Sequence, residues 1–563
     1  MRMCICMIGL LLSSTAAAAQ TTQLKLRPAP DHSFLLSESC VASAGDVNAD
    51  GIPDAIVGAY GFVPGSSLVR VFSGRDGAAI HTYLSGTGSG APNPLFKPGA
   101  AAAGLGDVNG DGFDDFILGS PESTLAQGSA GYVTALSGRT GLPLYSVGGY
   151  ESYDYFGYRC AALGDVNGDG TTDFVAIAIT SSSGPPLLRV FSGSDGAFIY
   201  GIPEPPEGAA FGRVLAGIGD LDGDGRPDLL VGDPVTSRPF SGNLIGTVFV
   251  YSGASGSLLG KVRGEQPDDF FGDSVCGTPD VDGDGVADFV VGAPGQDTPA
   301  AGAGCVTWFS GSSLARIRTA SIQSSGASFG QSVAALPDLD GDRIPDVAAG
   351  APSLGLHAPN GGFVAWISSA SGSVLARHAG SVASGFLGYR LQTIGDTDGD
   401  GRAELVTVGR DGSGVGVGLV LSLVPGLREF GAGSPGCEGS SHLRGSRPPL
   451  LGETTFQLLS EDAPGSSLGV ALLCDAADVA GSDPWSVAVV VHLTLQASTE
   501  VIALPIGSDE SGRAALTLPI PATPSLLGKT YFAQFFWSWP SSICVPSPLG
   551  LSSSTALEIR VGE

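Results

Sequence analysis

The sequence predicts an all-β fold in which one short unit is repeated seven times. A nine-residue acidic pattern, first seen as DVNADGIPD from Asp46 to Asp54, recurs six more times at intervals of 55 to 61 residues. Each copy is followed by short apolar runs that end at Gly, Ser and Pro turns, and none of these runs has a helical period. Four short strands in each unit of about 60 residues predict a seven-bladed β-propeller, because such units bury their faces only against neighbouring copies.

The first 19 residues predict a signal peptide. Arg2 supplies a positive start, Met7 to Leu12 form an apolar centre, and Ala17 to Ala19 fit a cleavage site of small residues. A short buried helix is the alternative, but the segment is terminal and too short for an ordinary membrane span. We therefore expect an exported protein, either secreted or at the cell surface, with no later membrane-spanning stretch.

Each unit of the predicted propeller, which covers residues 20–426, has four recognisable parts. An aromatic residue and a glycine, such as Phe271 and Gly272, come nine residues before the acidic loop. After the loop an apolar run ends in glycine and often continues as Gly-Ala-Pro, as at Gly292. A strand with a Ser-Gly turn follows, as in VYSGASG from Val250, and a further short strand leads to the next unit.

The two ends of the repeat region predict how the ring closes. The seventh unit reaches Pro425 and Gly426 without a fourth strand, whereas a spare strand, Leu24 to Leu26, precedes the first unit. The hypothesis is that Gln23 to Arg27 completes the seventh blade, which would remove an exposed sheet edge.

The Phe-Gly pair, the acidic loop and the Gly-Ala-Pro run together resemble the FG-GAP repeats of integrin α-subunit propellers and of many secreted bacterial proteins. The resemblance covers about residues 34–424 and is most specific in units five and six. Units one and two depart from it, with Ser37-Glu38 and Pro98-Gly99 in place of Phe-Gly, and Ile177 replaces a glycine in unit three. The resemblance implies a binding or adhesion domain with metal-binding loops.

Every loop places oxygen-bearing residues at alternate positions, which suits a cation site with an all-oxygen ligand set. Positions 1 and 9 are acidic in each loop: Asp46 and Asp54, Asp107 and Asp115, Asp165 and Asp173, Asp220 and Asp228, Asp280 and Asp288, Asp338 and Asp346, and Asp396 and Glu404. Positions 3 and 5 are Asn48 and Asp50, Asn109 and Asp111, Asn167 and Asp169, Asp222 and Asp224, Asp282 and Asp284, Asp340 and Asp342, and Asp398 and Asp400. Position 7, expected to offer its carbonyl oxygen, is Ile52, Phe113, Thr171, Arg226, Val286, Ile344 and Arg402.

The predicted cofactor is calcium, with up to seven ions. Ca²⁺ accepts flexible oxygen sites of high coordination more readily than Mg²⁺, and the lack of soft ligands disfavours zinc and copper. Glycine at position 6 allows the sharp bend, with Arg343 as the exception. An EF-hand is disfavoured because no loop has Glu at position 12 and the flanks are strand-like. Solvated turns without metal would leave the acid at position 9 unexplained.

The charge distribution bears on the choice of partner. The net charge is −28, and 25 of the 55 acidic residues occupy positions 1, 3, 5 and 9 of the loops. Seven dications would bring the net charge to about −14, so much of the acidity is predicted to be ligand charge. A chain this acidic, with no basic run, is a poor candidate for binding nucleic acid or an anionic membrane. A monomer with an extracellular protein or glycan ligand is expected.

The composition changes after the repeats. Residues 427–449 are predicted to be a linker or domain entry, and residues 450–563 contain about seven short apolar segments that predict a small β-sandwich. The Gly-Cys pair ending at Cys437 and the stretch LPIPATPSLLGKTYFAQ from Leu518 resemble a C-terminal module of secreted planctomycete-type proteins. This second resemblance implies no known chemistry.

No residue set predicts an active site. The string GASFG around Ser328 matches a nucleophile elbow in letters, but it lies on a Phe-Gly pair with no strand-to-helix context. The prediction is therefore an exported calcium-binding propeller that acts as a binding or adhesion module and not as an enzyme. The alternatives are an envelope component without a discrete ligand and an extracellular polysaccharide hydrolase or lyase.

Overall fold

A computed structural model of the chain describes most of the repeat region and the strands of the C-terminal region. The described residues are 19–26, 39–60, 67–85, 99–122, 130–150, 154–179, 187–206, 210–234, 245–340, 342–355, 359–380, 382–398, 402–410, 415–424, 427–430, 442–445, 457–461, 468–474, 477–482, 491–493, 501–508, 514–518, 530–538 and 551–560. Regular structure within these ranges is entirely strand, and they contain no helix with the length and hydrophobicity that a membrane crossing needs. The predicted signal peptide lies outside them, apart from Ala19.

The repeat region contributes twenty-eight strands. They are β1 (Ala19–Leu26), β2 (Ser39–Gly45), β3 (Asp54–Ala59), β4 (Leu68–Phe72), β5 (Ala79–Leu84), β6 (Ala101–Gly106), β7 (Asp115–Ser120), β8 (Tyr132–Leu136), β9 (Pro143–Gly148), β10 (Cys160–Gly164), β11 (Asp173–Ile177), β12 (Leu188–Phe191), β13 (Phe198–Ile202), β14 (Val214–Ile218), β15 (Asp228–Asp233), β16 (Thr247–Tyr251), β17 (Leu258–Arg263), β18 (Ser274–Thr278), β19 (Asp288–Ala293), β20 (Cys305–Phe309), β21 (Arg316–Ser321), β22 (Val333–Ala335), β23 (Val347–Gly350), β24 (Phe363–Ile367), β25 (Val374–Ala379), β26 (Leu391–Gly395), β27 (Glu404–Arg410) and β28 (Gly416–Val424).

These strands form seven four-stranded sheets, which we number by the acidic loop that each contains. Sheets one to six each take four consecutive strands, from β2–β5 to β22–β25, in sequence order. The first strands contact one another in a closed cycle, β2, β6, β10, β14, β18, β22, β26 and again β2. This arrangement is a β-propeller, and the predicted all-β class is confirmed.

Sheet seven confirms the predicted ring closure. Its order is β1, β28, β27, β26, so the first described strand of the chain lies beside the last strand of the repeat region. Leu26 at the end of β1 is fully buried. The closing strand occupies the edge that the seventh unit would otherwise leave open.

The second and third strands are buried on both faces because each sheet is covered by two neighbours. All residues of β19 and β20 are buried, which accounts for their continuous apolar sequences. The fourth strand lies at the outer edge, so β17 is mostly exposed and buries Val262 alone. Rings from successive strands form the core of each blade, as where Phe289 stacks on Phe309 with centroids 5.5 Å apart.

The Phe-Gly and Gly-Ala-Pro parts meet at the contact between neighbouring sheets. The Gly330 N–H donates to the Gly350 carbonyl at 2.9 Å within sheet six. The Gly330 carbonyl accepts the Ser274 hydroxyl of sheet five at 2.8 Å. A Cβ on Gly292 would lie 2.0 Å from that same carbonyl oxygen, so only glycine permits the approach. The two glycine motifs therefore recur because they pack against each other across the interface.

The chain divides into two compact units, one of residues Gln20–Leu423 and one that contains Val424–Glu563. The described strands of the second unit are β29 (Leu427–Phe430), β30 (His442–Gly445), β31 (Gln457–Glu461), β32 (Leu468–Cys474), β33 (Ala477–Ser482), β34 (Val491–Leu493), β35 (Val501–Gly507), β36 (Ala514–Thr517), β37 (Thr530–Ser538) and β38 (Leu551–Arg560). They form sheets of five, three and two strands. One apolar cluster contains Phe535 and Trp537 of the five-stranded sheet together with Leu458 of the three-stranded sheet.

The segment predicted as a linker or domain entry contains two strands. Residues 427–449 contain β29, which pairs with β38 in the five-stranded sheet, and β30, which pairs with β31. Alternating apolar residues are few in these four-residue strands, so hydrophobic periodicity did not reveal them.

Candidate metal-binding loops

Each acidic loop connects the first and second strands of its sheet and is folded by its own first residue. In loop five Asp280 Oδ1 accepts the N–H groups of Gly283 at 2.6 Å and Asp284 at 3.2 Å. Its Oδ2 accepts the Gly285 N–H at 2.8 Å. Gly283 and Gly285 have φ values of 83° and 88°, which glycine adopts without steric cost. The alternation of Asp and Gly in the sequence therefore supplies the hydrogen-bond acceptors and the positive φ values that this tight turn requires.

Loop six keeps this turn without a glycine at position 6. Arg343 has a φ of 71°, and its N–H donates to Asp338 Oδ2 at 2.7 Å. Ala49 in loop one is the other non-glycine residue with positive φ among the described loop positions, at 57°. Both residues adopt a left-handed backbone that costs about 1–2 kcal/mol outside glycine.

The acid at position 9 is fully buried and ties the loop to a second turn of the same sheet. Asp228 accepts the N–H of Leu221, at position 2 of loop four, at 2.8 Å, and the N–H of Gly253 at 2.9 Å. Gly253 lies in the Ser-Gly turn between β16 and β17, and a Cβ there would approach the Pro227 carbonyl oxygen to 1.8 Å. The equivalent pairs are Asp54 and Gly74, Asp115 and Gly138, Asp173 and Gly193, Asp288 and Gly311, and Asp346 and Ser369.

This second bond was missed at the sequence level. Its signal in the sequence is the recurrent Ser-Gly turn, for which the sequence predicts no more than a turn. The acid at position 9 therefore has a partner in every described loop that would exist without any metal, and its presence does not by itself require a cation.

Positions 1, 3 and 9 converge in the last four loops. In each loop, carboxylate oxygens of the three residues lie within 4.8 Å of one another. The sets are Asp220, Asp222 and Asp228; Asp280, Asp282 and Asp288; Asp338, Asp340 and Asp346; and Asp396, Asp398 and Glu404. Three carboxylates at this separation repel one another in the absence of a counter-ion, so each set is suited to a dication.

Loops one to three have Asn at position 3, and loop one provides a test of whether the residues fit a cation. Asn48 Nδ2 donates to Asp54 Oδ1 at 3.4 Å, which turns the amide oxygen away from that carboxylate. Asn48 Oδ1 is buried and has no hydrogen-bond partner among the described residues. An unsatisfied buried oxygen beside carboxylates destabilises the fold unless it coordinates a cation or accepts a hydrogen bond from water. The site therefore fits an oxygen-coordinated ion.

Position 5 does not join the converging sets within the described loops. Asp284 accepts hydrogen bonds from the hydroxyls of Ser310, at 3.5 Å, and Ser312. Asp50 instead pairs with Arg75, whose Nε lies 3.0 Å from Oδ2. Asp400, the predicted ligand of loop seven, lies outside the described residues.

The N–H of position 7 donates to the carboxylate of position 5 in six loops. The Val286 N–H donates to Asp284 Oδ1 at 2.9 Å, and the N–H groups of Ile52, Phe113, Thr171, Arg226 and Ile344 make the same bond. The Arg226 side chain also reaches loop three, where its Nη1 lies 3.4 Å from Asp165 Oδ2. The guanidinium of Arg226, at position 7 of loop four, therefore places a positive charge beside the position 1 carboxylate of loop three.

Burial of position 9 leaves its carboxyl poorly solvated. It raises the pKa of Asp54 and Asp346 to about 7, and that of Asp115 and Asp228 to about 6. Neighbouring acids add to the rise in the pKa of Asp54, because the charges of Asp46 and Asp50 disfavour a further anion. The ionised form of the position 9 carboxyl is therefore poorly stabilised in the metal-free loop, and a bound cation would favour it.

Ser328, in the string that matches a nucleophile elbow, has a positive φ, as the nucleophile of such an elbow would. Ser328 has a φ of 56°, but Tyr155, Phe270 and Phe386 share this feature at 48°, 52° and 49°, each directly before a Phe-Gly or Leu-Gly pair. The strained φ is thus a property of the repeat. The Ser328 hydroxyl donates to Ser353 Oγ at 3.3 Å, which supports a structural role.

The fold and its loops define a class of protein: a propeller of FG-GAP type, with an acidic turn after the first strand of each blade. Two family models match the chain directly. The model described as FG-GAP-like repeat matches residues 144–231, and the FG-GAP repeat model matches residues 99–136, 271–306 and 329–365. These four stretches of the repeat region are therefore similar to FG-GAP repeats.

Integrin α-subunits are among the relatives of the chain. The chain is 32% identical to integrin alpha-5 of Xenopus laevis over 221 residues, which covers 34% of this chain and 20% of the relative. It is 32% identical to integrin alpha-V of Gallus gallus over 216 residues, with the same coverage of 34% and 20%. Integrin alpha-E of Homo sapiens is 34% identical over 166 residues, covering 26% of this chain and 14% of the relative. The chain thus spans about a fifth or less of the length of these relatives.

Proposed function

We propose that this protein is an extracellular or cell-surface binding module in which the acidic loops bind calcium and the propeller presents its surface loops to a protein or glycan ligand. The observation that carries the proposal is the convergence of positions 1, 3 and 9 in four loops, with oxygens within 4.8 Å. Likeness to integrin α-subunits supports a binding role rather than a catalytic one.

Calcium is the ion that the donor set favours. Each set contains carboxylates alone, the equivalent position in loops one to three adds an amide oxygen, and no sulfur or imidazole takes part. Hard oxygen donors in a flexible turn suit Ca²⁺ better than the smaller Mg²⁺, which requires near-octahedral geometry. The ions would offset the repulsion within each loop and thereby stabilise the blades.

The metal part of the proposal is tested by calorimetric titration of chelator-treated full-length protein with CaCl₂, and with MgCl₂ as the competing ion. We expect heat from several sites for Ca²⁺ and much weaker binding of Mg²⁺. A matched control is Asp76→Ala, an exposed acid outside the loops, which should leave the titration unchanged. The absence of Ca²⁺ binding, together with an unchanged melting temperature, would refute this part.

The ligand part requires a separate measurement. Calcium-loaded protein is applied to arrays of glycans and extracellular proteins, and reducing ends are assayed in parallel with polysaccharides. Saturable binding without release of reducing ends is the expected result. Release of sugar would contradict the binding proposal in favour of an enzyme, and a failure to bind any ligand, with fractionation into the envelope, would favour a structural component.

A further inference from the structure

Loop four packs against loop three through its positions 7 and 8. Arg226 Nη1, at position 7, lies 3.4 Å from Asp165 Oδ2, and the two side chains are 36% and 31% exposed. A Cβ on Gly168, at position 4 of loop three, would lie 2.1 Å from Arg226 Nη2, so the guanidinium rests on that glycine. The next residue, Pro227, packs on Gly164, where an added Cβ would lie 2.8 Å from the proline Cγ. Two adjacent contacts therefore hold the guanidinium against loop three.

The amide at position 3 of loop three makes its hydrogen bonds within the loop. Asn167 Nδ2 donates to Asp169 Oδ2 at 3.0 Å and to Asp173 Oδ1 at 3.3 Å. Asn167 Oδ1 accepts the Asp169 N–H at 2.7 Å, whereas Asn48 Oδ1 of loop one is buried without a partner among the described residues. The unsatisfied oxygen that indicates an ion in loop one therefore has no counterpart at Asn167.

The carboxylates at positions 1 and 5 of loop three are also supplied with donors. Asp165 accepts three backbone N–H groups of its own turn in addition to the Arg226 guanidinium. Asp169 accepts the Thr171 N–H at 2.9 Å and the Ser192 hydroxyl at 3.0 Å. Donors and a guanidinium already stabilise the ionised form of these groups, so a metal ion has less to add here than among facing carboxylates.

Loop four has the opposite surroundings, although its turn is built in the same way. Its carboxylates at positions 1, 3 and 9 converge, with oxygens within 4.8 Å of one another. The packing between neighbouring loops recurs at this place, because a Cβ on Gly219 would lie 2.8 Å from Ala287 Cβ of loop five. The residue before Ala287 is Val286, which holds the position that Arg226 holds against loop three. Loop four thus bears one acid more than loop three and receives an apolar residue where loop three receives a cation.

We propose that Arg226 is the built-in counter-ion of loop three, and that loop three holds no calcium at concentrations that fill loop four. A dication on Asp165 would lie beside a guanidinium that contacts the same carboxylate, and the two positive charges would repel each other. The arginine supplies part of the stabilisation that the ion supplies elsewhere, so it determines which loops need the ion. The inference rests on the proposed calcium binding and specifies the loop that is the exception.

The test counts bound calcium by equilibrium dialysis of the full-length protein against radioactive CaCl₂, at the free concentration that saturates the wild type. Asp165→Asn and Asp220→Asn remove the position 1 charge from loops three and four and keep an amide oxygen as acceptor. We expect Asp220→Asn to lose one ion per chain, because its carboxylate belongs to a converging set. Asp165→Asn should leave the count unchanged.

Removal of the arginine should open loop three to the ion. Arg226→Gln should raise the affinity of loop three for calcium about tenfold or more, since the repelling charge is lost, and should add one bound ion per chain. Asp165→Asn combined with Arg226→Gln should remove that ion again, which assigns it to loop three. Arg226→Lys keeps the charge and should keep the wild-type count.

The matched control is Arg316→Gln, which removes the same charge from the outer strand β21, where Arg316 pairs with Glu265. This variant should bind as many ions as the wild type. The melting temperature of each variant in chelator is measured first, because Asp165 also accepts backbone bonds of its turn. Arg226→Gln, which changes a partly exposed side chain, carries the test if Asp165→Asn is unfolded.

Two outcomes overturn the inference. Loss of an ion from Asp165→Asn would show that loop three holds calcium beside Arg226. An unchanged count in Arg226→Gln would show that the arginine does not control occupancy. Either result, obtained while Asp220→Asn loses its ion, refutes the inference alone and leaves the proposed function intact, whereas a wild-type protein that binds no calcium contradicts the metal part of the proposed function itself.

Discussion

The Asp228 carboxylate and the Gly253 N–H lie 2.9 Å apart, and this bond joins the acidic loop of sheet four to the turn between its third and fourth strands. The same relationship recurs in five other sheets of the described region. Position 9 is therefore both a candidate metal ligand and a structural acceptor. Its two roles can be separated because position 3 in this loop, Asp222, accepts only the exposed Asp224 N–H, which Asp220 also accepts.

The first prediction compares Asp228→Ala with Asp222→Ala. The first change leaves the N–H groups of Leu221 and Gly253 without an acceptor, which should cost about 2–4 kcal/mol of unfolding free energy even in chelator. Asp222 is exposed, so Asp222→Ala should be nearly neutral in chelator and should reduce only the stabilisation by calcium. Chemical denaturation with and without Ca²⁺ measures both, and equal losses in chelator would contradict the division of roles.

The second prediction concerns pH. The pKa of Asp54 and Asp346 is about 7 in the folded protein, above the ordinary Asp value of about 3.9, so the metal-free fold holds protons that the unfolded chain releases. The contribution of these groups is fully present below about pH 4 and is lost as pH rises through about 7. In chelator the melting temperature should thus fall from about pH 5 to about pH 8.

Calcium should abolish most of that fall, because bound cations stabilise the ionised carboxylates, and occupancy at 100 times the Kd adds roughly 2.7 kcal/mol per site. Differential scanning fluorimetry across the same pH range with saturating CaCl₂ supplies the comparison. A metal-free melting temperature that climbs over this interval is the contrary result.

The third prediction uses the left-handed residues of the loops. Arg343→Gly should stabilise the protein by roughly 0.5–1 kcal/mol, because glycine adopts a φ of 71° without steric strain. The greater conformational entropy of glycine in the unfolded chain offsets part of this gain. The reciprocal change, Gly112→Ala, has a φ of 85° and no neighbour within 4 Å of the new Cβ, so backbone strain alone should destabilise it by about 1 kcal/mol. The urea midpoints of the two variants should move in opposite directions. Movement in the same direction would show that backbone strain does not cause the stability changes.

The fourth prediction concerns the closing strand β1. Deletion of residues 20–26 exposes an edge of β28 and removes the fully buried Leu26, so the melting temperature should drop sharply. Leu26→Ala in the full chain should cost about 2–5 kcal/mol. Leu258→Ala on β17, where the side chain is 52% exposed, is the matched substitution and should cost much less. An unchanged melt after the deletion would show that ring closure does not depend on β1.

Much of the propeller could be predicted because its signals are local and repeated. Asp280, Gly283 and Gly285 interact within one turn of six residues, so their spacing in the chain directly encodes the loop. The spare strand at Leu24 to Leu26 was equally visible, since an incomplete last unit needs a partner. The short strands β29 and β30 were not predicted, because four residues carry too little periodicity to identify a strand.

The sequence by itself determined the repeat, the acidic loops and the closing strand, because each depends on residues that are neighbours in the chain or on the period of the unit. Only the tertiary structure decided that Gly292 packs against the Gly330 carbonyl, that Asp228 also serves Gly253, and that Arg226 of loop four reaches Asp165 of loop three. These contacts join different strands or different sheets. Their distances are set by how the sheets pack around the ring, which the order of residues within one unit does not specify.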